Sequence, residues 1–201
     1  MLKKIMMLAV VMVFAAVAAY AAPADIPKTG QTKCYNTAGA EIACANTGQD
    51  GDKLAGVAWP TPRFTVGTGA EVDCVTDNLT GLMWVKAPDP TGRTWQEALD
   101  YADGLDLCGH TDWRLPNVNE LESLLHAEYT NTTLCGGAGC SDNAAWLNTQ
   151  GFSNVQAHYY WSSSTYAADT TLAWLVHMVF GGVYSDDKTS IFNVWPVRAG
   201  H

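Results

Sequence analysis

Three consecutive serines and two histidines are the residues of this chain that could do nucleophilic chemistry. The run Ser162-Ser163-Ser164 stands between His158 and His177, and a serine nucleophile needs such a base beside it. No G-x-S-x-G motif surrounds the serines, although that motif commonly presents a serine nucleophile on a sharp turn. Serine clusters are also typical of exposed strands. The sequence therefore favours a non-enzymatic protein over a hydrolase.

Metal-binding chemistry has weak support. The five histidines are scattered, and the cysteines form no C-x-x-C pair of the zinc-binding type. Only Gln49-Asp50-Gly51-Asp52 has alternating carboxylates that could bind Ca²⁺. A polar turn is the favoured interpretation of this run, because Asp and Gly are common turn residues. We therefore expect no metal or other cofactor, with calcium as the alternative.

The cysteines are even in number, at six. In an exported chain this predicts a disulfide framework. Nearness in sequence favours the pairs Cys34–Cys44 and Cys135–Cys140, which leaves Cys74–Cys108 as the third pair. Other pairings stay open, because connectivity cannot be deduced from sequence alone.

The composition is that of a globular, acidic protein. Hydrophobic residues make up 48% of the chain and charged residues 15%, which is enough for a core and too apolar for disorder. The formal net charge is −9, and removal of a leader containing Lys3 and Lys4 would make it more negative. Nucleic-acid partners are disfavoured, because they require a basic surface.

The first 21 residues have the pattern of a secretory signal peptide. Lys3 and Lys4 precede an apolar run over residues 5–18, and Ala19-Tyr20-Ala21 supplies small residues for cleavage. An uncleaved membrane anchor is the alternative. We expect a periplasmic or secreted protein with no membrane insertion after cleavage. Residues 22–62 are predicted as a loop-rich N-terminal segment and residues 63–201 as the main domain.

The chain is organised around the run from Asp112 to Glu120, which we call the corner. Pro116 restricts the preceding residue to extended geometry, and Asn117 with Glu120 forms a capping-box pattern that predicts a helix start. Arg114 stands beside Asp112 among apolar residues, so a paired, structural arginine is expected there. An anion-binding or catalytic arginine is the alternative. We assign structural roles to Asp112, Trp113, Arg114 and Pro116.

The remaining pattern alternates short helices and strands. A helix is predicted from Thr94 to Gly104, and a helical turn over 143–147 within an irregular region of 130–158. Strands are predicted at 63–66, 71–76, 81–86, 158–164, 172–180, 183–185 and 191–198. Alternation in 172–180 predicts one core face and places His177 on the outer face. Gly181-Gly182 fits a two-residue hairpin turn, and residues 186–188 form the next turn.

The corner also resembles the signature of the Lcl C-terminal domain family, in the form Asp112-Trp113-Arg114-Leu115-Pro116-Asn117. Further motifs match in the same order: Thr76-Asp77-Asn78-Leu79-Thr80-Gly81-Leu82-Met83-Trp84, Thr94-Trp95-Gln96-Glu97-Ala98, Tyr160-Trp161-Ser162-Ser163-Ser164 and Trp195-Pro196-Val197-Arg198. The resemblance covers about residues 63–198. Arg114-Leu115-Pro116 before an acidic helix is also similar to the formylglycine-generating enzyme branch of the C-type-lectin-like fold.

The resemblance implies an α+β, C-type-lectin-like fold: two helices on a twisted, mostly antiparallel sheet, with a long irregular loop region. It also implies an extracytoplasmic binding role. The enzymatic branch needs free reactive cysteines, whereas the cysteines here suit structural bridges. Calcium-dependent lectins use Glu-Pro-Asn or Gln-Pro-Asp with Trp-Asn-Asp, and neither pattern stands in this chain.

Members of this fold bind ligands through their last strands and turns. Carried onto this sequence, that surface comprises Tyr159, Ser163, Tyr166, Asp169, His177, Tyr184, Asp186, Asp187, Lys188 and Asn193. Tyrosines beside short polar residues suit adaptable recognition. We therefore expect a binding or adhesion module for a glycan or protein ligand at the cell exterior. An enzyme of the formylglycine-generating type and a structural envelope component are the alternatives.

Overall fold

The computed structural model describes residues 26–130 and 142–200. Within these ranges the protein is α+β, with four α-helices, a two-stranded hairpin, a four-stranded sheet and a five-stranded sheet. No helix in these ranges is long and apolar enough to cross a membrane. The predicted signal peptide and the predicted Cys135–Cys140 bridge lie outside the described residues.

The N-terminal segment folds as a small hairpin followed by one helical turn. Strands β1 (Cys34–Tyr35) and β2 (Glu41–Ile42) pair antiparallel, and α1 (Asp50–Lys53) follows. The predicted Cys34–Cys44 disulfide is confirmed, with an S–S distance of 2.10 Å. The carboxylate at Glu128 accepts hydrogen bonds from the backbone and hydroxyl of Thr32. The segment is thus fastened to the main domain.

The four-stranded sheet is antiparallel, with its strands in the order β11-β5-β4-β3. Its members are β3 (Phe64–Val66), β4 (Cys74–Asp77), β5 (Leu82–Val85) and β11 (Val197–Ala199). A short 3-10 helix precedes β4, so the predicted strand start at Glu71 is wrong. The predicted Cys74–Cys108 disulfide is confirmed and links β4 to the chain that enters the corner.

The five-stranded sheet has the order β6-β10-β7-β8-β9. Its members are β6 (Asp89–Arg93), β7 (Tyr159–Thr165), β8 (Leu172–His177), β9 (Val183–Asp187) and β10 (Phe192–Val194). All neighbours are antiparallel except β10 and β7, which are parallel. Strand β6 was not predicted, because it contains Pro90 and Gly92, and both residue types are uncommon in strands.

The last predicted strand, over residues 191–198, is wrong as a single element. It divides at Trp195 and Pro196 into β10 and β11, which belong to different sheets. The Pro196 carbonyl accepts a hydrogen bond from the Val85 amide at 3.2 Å, while the proline itself has no N–H for a ladder. The chain can therefore leave one sheet and enter the other at this point.

Three further helices pack around the sheets: α2 (Trp95–Asp103), α3 (Val118–Glu122) and α4 (Asn143–Thr149). Glu97 accepts hydrogen bonds from the backbone and hydroxyl of Thr94, as the predicted capping box requires. Asn117 and Glu120 cap α3 reciprocally, at 3.0 and 2.8 Å. Helix α3 ends at Glu122, earlier than the apolar stripe in the sequence indicates.

The core has two parts on opposite faces of the five-stranded sheet. One contains Val176, Met178 and Trp195, and the other packs Trp161 and Leu175 against α2. Strand β8 contributes to both, because alternate side chains point to opposite faces. The expectation that only one face of β8 meets the core is therefore wrong.

Candidate ligand-binding site

Three of the ten predicted ligand-binding residues meet on one surface. Tyr159 of β7 stands opposite His177 of β8, and Tyr184 of β9 stands opposite Leu175. All three side chains lie on the sheet face that α2 covers farther along the strands. Other rings join them, and we call the group the aromatic patch: His158, Tyr159, His177, Phe180, Tyr184 and Phe192.

The rings of the patch are held in a contact network. The Tyr159 ring lies 4.4 Å from His177, 5.5 Å from Tyr184 and 5.4 Å from Phe192, each edge to face. Edge-to-face packing is a favourable arrangement for aromatic pairs. These contacts hold the rings of the patch in one arrangement without a bound ligand.

His177 is the buried ring of the patch. Only 3% of this residue is exposed, so the prediction that it lies on the outer face is wrong. Its Nδ1 accepts hydrogen bonds from the Val179 and Phe180 amides at 3.1 and 3.4 Å, and its ring stacks on Phe180 at 4.2 Å. Burial, reinforced by the charge of His158, lowers the pKa of His177 to about 4. The imidazole is neutral at physiological pH and positions the rings above it.

Tyr184 is an exposed ring of the patch, with 42% of the residue accessible to solvent. Its ring covers Gly182, where an added Cβ would lie 2.7 Å from the phenol. The connection between β8 and β9 spans residues 178–182, so the predicted two-residue turn at Gly181-Gly182 is wrong. A side chain at position 182 would therefore require the Tyr184 ring to move.

A second group of predicted residues lies at the other end of β8. Asp187 stands opposite Leu172, five residues before His177, which is about 17 Å along a strand. Lys188 places its Nζ 4.1 Å from the Trp95 ring centroid and donates to Thr165 and Thr170. The predicted residues Tyr166, Asp169 and Asp186 accompany them at this end. The ten residues therefore do not form one continuous site.

Ser163 and Asn193 belong to neither group. The Ser163 hydroxyl donates to the Pro116 carbonyl at 3.3 Å, and its side chain borders a cavity shared with Arg114 and Leu115. Asn193 is 8% exposed and hydrogen-bonds Tyr160. The expectation that Asn193 is a surface contact is wrong, because β10 is an interior strand.

The serine run is occupied with structural hydrogen bonds. The buried Ser162 hydroxyl donates to the Trp174 carbonyl at 2.7 Å, and the Ser164 hydroxyl accepts the Val118 amide at 3.2 Å. His177 directs its Nδ1 at backbone amides. Across residues 26–130 and 142–200, no three His, Cys, Asp or Glu residues are grouped to hold a metal ion.

The corner uses different ion pairs from the one its sequence indicates. Arg114 is exposed and binds Glu120 in bidentate fashion at 2.6 and 2.7 Å, so the carboxylate that pairs with it is not that of the neighbouring Asp112. Asp112 instead accepts from the buried Arg198 at 2.7 and 3.2 Å. Burial opposes ionisation of Glu120, but hydrogen bonds from Arg114 and Asn117 outweigh it and lower its pKa.

Trp113 and Pro116 of the corner are both buried. Trp113 is 1% exposed and donates from its indole nitrogen to the Leu107 carbonyl at 3.1 Å. Arg114 and Val197 exchange two backbone hydrogen bonds of 2.9 Å, which tie the corner to β11. The closing motif Trp195-Pro196-Val197-Arg198 is the sequence signal for this contact. It contains Val197 and also Arg198, which binds Asp112.

Comparisons with known proteins agree with the sequence motifs. The model of the Lcl C-terminal domain matches residues 73–198, which is more than half of the chain. A search of curated proteins found no match. The matched region holds the corner, both large sheets from β4 onward and every residue of the aromatic patch. The chain belongs to the Lcl C-terminal domain family.

Proposed function

We propose that this protein is an exported, non-enzymatic binding module that recognises another protein through the aromatic patch. The observation that carries the proposal is the ordered group of rings around Tyr159, with Tyr184 exposed at its surface. Exposed tyrosines provide large contact area at low cost in conformational entropy. The rings of Tyr159 and Phe180 already pack on His177, which reduces that cost further.

The shape of the patch favours a protein over a small molecule. Four open cavities in the part of the chain that the structure describes are lined by other residues. Small ligands are bound in concave sites, whereas protein partners are bound on broader surfaces with a central cluster of aromatic residues. A glycan ligand on the same surface is the alternative outcome of the experiment below.

The export part of the proposal is supported by cysteine chemistry. Cys34–Cys44 and Cys74–Cys108 are disulfides, and disulfides are typical of oxidising compartments. Together with the leader-like residues 1–21, this supports a periplasmic or secreted location. The α+β architecture and the corner motif support assignment to the C-type-lectin-like fold.

The experiment compares binding by two matched tyrosine variants. Immobilised wild-type protein, Tyr184→Ala and Tyr166→Ala are exposed to cell-surface protein fractions and to a glycan array. Tyr166 packs on Trp174 at 4.9 Å at the opposite end of the sheet, so it is a control for loss of a tyrosine. We expect Tyr184→Ala to lose a protein partner that the wild type and Tyr166→Ala retain.

Two results would contradict the proposal. Equal binding by Tyr184→Ala and wild type would remove the patch as the site. Loss of a glycan ligand alone in Tyr184→Ala would keep the site and replace its ligand class. Melting temperatures of all three proteins are measured alongside, and we expect Tyr184→Ala to melt like wild type because Tyr184 is exposed.

A further inference from the structure

The N-terminal segment is fastened to the main domain by a short turn after α3, over residues 126–128, which we call the latch. The Glu128 carboxylate accepts hydrogen bonds from the backbone amide and the hydroxyl of Thr32. The Ala127 amide donates to the Thr29 carbonyl at 2.9 Å. Two neighbouring residues of the main domain thus bind the segment directly.

His126, the first residue of the latch, is buried against the same segment. Gly30 lies against its ring, so that an added Cβ would be 2.8 Å from the nearest imidazole carbon. Trp59 meets the ring edge to face, with 4.9 Å between centroids. The His126 Nδ1 accepts a hydrogen bond from the Glu128 amide at 3.3 Å, so the neutral ring carries its proton on Nε2. A second proton would go to Nδ1 and would face this N–H group. Protonation of the ring therefore opposes the docked arrangement.

The surroundings of His126 determine how it responds to acid. Burial lowers its pKa, the Glu128 carboxylate opposes this shift, and the Arg63 guanidinium reinforces it. Helix α4 contacts this residue through Asn143 and Trp146, which are neutral. Further titratable groups around it are Lys28 and Asp50 of the segment, Tyr129 of the main domain, and Asp77, the partner of Arg63. Because the segment supplies part of the burial, its release would raise the pKa of His126 towards the ordinary value.

Glu128 responds to acid in the same direction. Burial opposes its ionisation, but hydrogen bonds from Thr32 and from the Lys33 amide outweigh it and lower its pKa. The Lys33 ammonium pairs with Glu41 at 3.1 Å. Docking thus lowers the pKa of both His126 and Glu128, so the released form binds protons more tightly and acid favours release. Docking weakens below pH 6.5, the ordinary pKa of histidine, and weakens again below pH 4.5, that of glutamate.

We propose that the latch is a pH-sensitive switch, which holds the N-terminal segment on the main domain at neutral pH and releases it in acid. The disulfides of the described residues do not oppose release, because Cys34–Cys44 lies within the segment and Cys74–Cys108 within the main domain. A groove of about 820 Å³ has one wall from residues 26–29 and Trp59 and the other from α3 and the turn after it. Acid therefore removes one wall of this groove and exposes the surface beneath it.

Amide hydrogen exchange of the full chain, followed by NMR at a series of pH values and corrected for intrinsic exchange rates, tests the proposal. The Thr32 and Ala127 amides report docking, because their hydrogen bonds cross from one part to the other. We expect their protection to fall by at least about tenfold between about pH 7 and pH 4, since each unit by which docking lowers a pKa changes the docking equilibrium up to about tenfold. Amides of β4 and β5, which pair within the main domain, should keep their protection.

Substitutions in the latch separate the two contributions. The double variant His126→Gln/Glu128→Gln removes both titrating groups and keeps polar side chains, so its protection should stay constant over this pH range. Glu128→Gln alone should lose only the part of the decline that lies below pH 4.5. The matched control is His110→Gln, which removes a histidine that stands 3.5 Å from the Glu71 carboxylate in the main domain. Its exchange profile should be that of wild type.

Three results would overturn the proposal. Constant protection of the Thr32 and Ala127 amides in wild type down to about pH 4 would show that the latch does not respond to acid. Simultaneous loss of protection in β4 and β5 would show unfolding of the whole protein instead. A double variant with the wild-type profile would show that other groups cause the release. If the double variant is released at every pH, Glu128→Gln decides, and a profile identical to wild type then contradicts the proposal.

Discussion

Two arginine–carboxylate pairs hold two regions of this protein with similar geometry and very different surroundings. Arg63 and Asp77 join the start of β3 to the end of β4, with side chains 3% and 0% exposed. Arg114 and Glu120 bridge the corner, with side chains 44% and 16% exposed. Both pairs are bidentate. We therefore expect burial, more than hydrogen-bond geometry, to decide how much such a pair contributes to the free energy of unfolding.

The largest effect is expected from Arg63→Ala. The variant leaves Asp77 buried without its cation and removes a contact to the Trp59 ring. Breaking a buried pair in this way costs about 3–5 kcal/mol of unfolding free energy. Urea denaturation of the variant and wild type measures the difference. A loss below about 1 kcal/mol, the range of exposed pairs, would show that the two regions are energetically alike.

The Cys74–Cys108 disulfide connects the two regions, because it links β4, which carries Asp77, to the chain entering the corner. The sequence separation of its cysteines is 34 residues. Replacing both by Ala should lower the unfolding free energy by about 2–4 kcal/mol. The matched control removes Cys34–Cys44, whose separation is 10 residues, and should cost less in the loop-entropy model. A larger loss from the control would contradict this ranking.

A pH titration extends the comparison from ion pairs to a buried neutral group. The pKa of His177 falls from 6.5 to about 4 on folding, mainly through burial. The unfolded chain therefore binds the proton more readily, so stability is complete above about pH 6.5 and declines as pH falls towards 4. Denaturant midpoints are measured across this range for wild type and His177→Gln. The variant should show a shallower decline, and parallel curves would exclude His177 as the cause.

The smallest effect is expected at the corner. Arg114→Ala removes a pair that is open to solvent on the arginine side, and exposed pairs contribute about 0.2–1 kcal/mol. A buried arginine paired with Asp112 would imply a larger loss of unfolding free energy. Asp112→Ala is the informative companion, because it deprives the buried Arg198 of its carboxylate. Asp112→Ala should lower the melting temperature more than Arg114→Ala does. The reverse order would show that Arg114 matters more to the stability of the corner.

Local chemistry by itself determined the features that depend on neighbours in sequence. Thr94 with Glu97 and Asn117 with Glu120 cap their helices as their spacing indicates. Cys34–Cys44 forms as its short separation suggests, and Cys74–Cys108 forms as the pair that the two short loops leave. The family motifs and the α+β class are also readable from the chain, because short helices and strands leave local periodic patterns.

Only the tertiary structure decided which distant groups meet. Arg198 reaches Asp112 across 86 positions, and no local pattern specifies that choice over Arg114. His177 is buried because β8 is an interior strand covered on both faces, whereas alternation assumes one exposed face. The aromatic patch likewise depends on strand register, which brings Tyr159, His177 and Tyr184 together and leaves Lys188 at the far end. Register and sheet order are set by packing over the whole domain, and a single sequence does not display them.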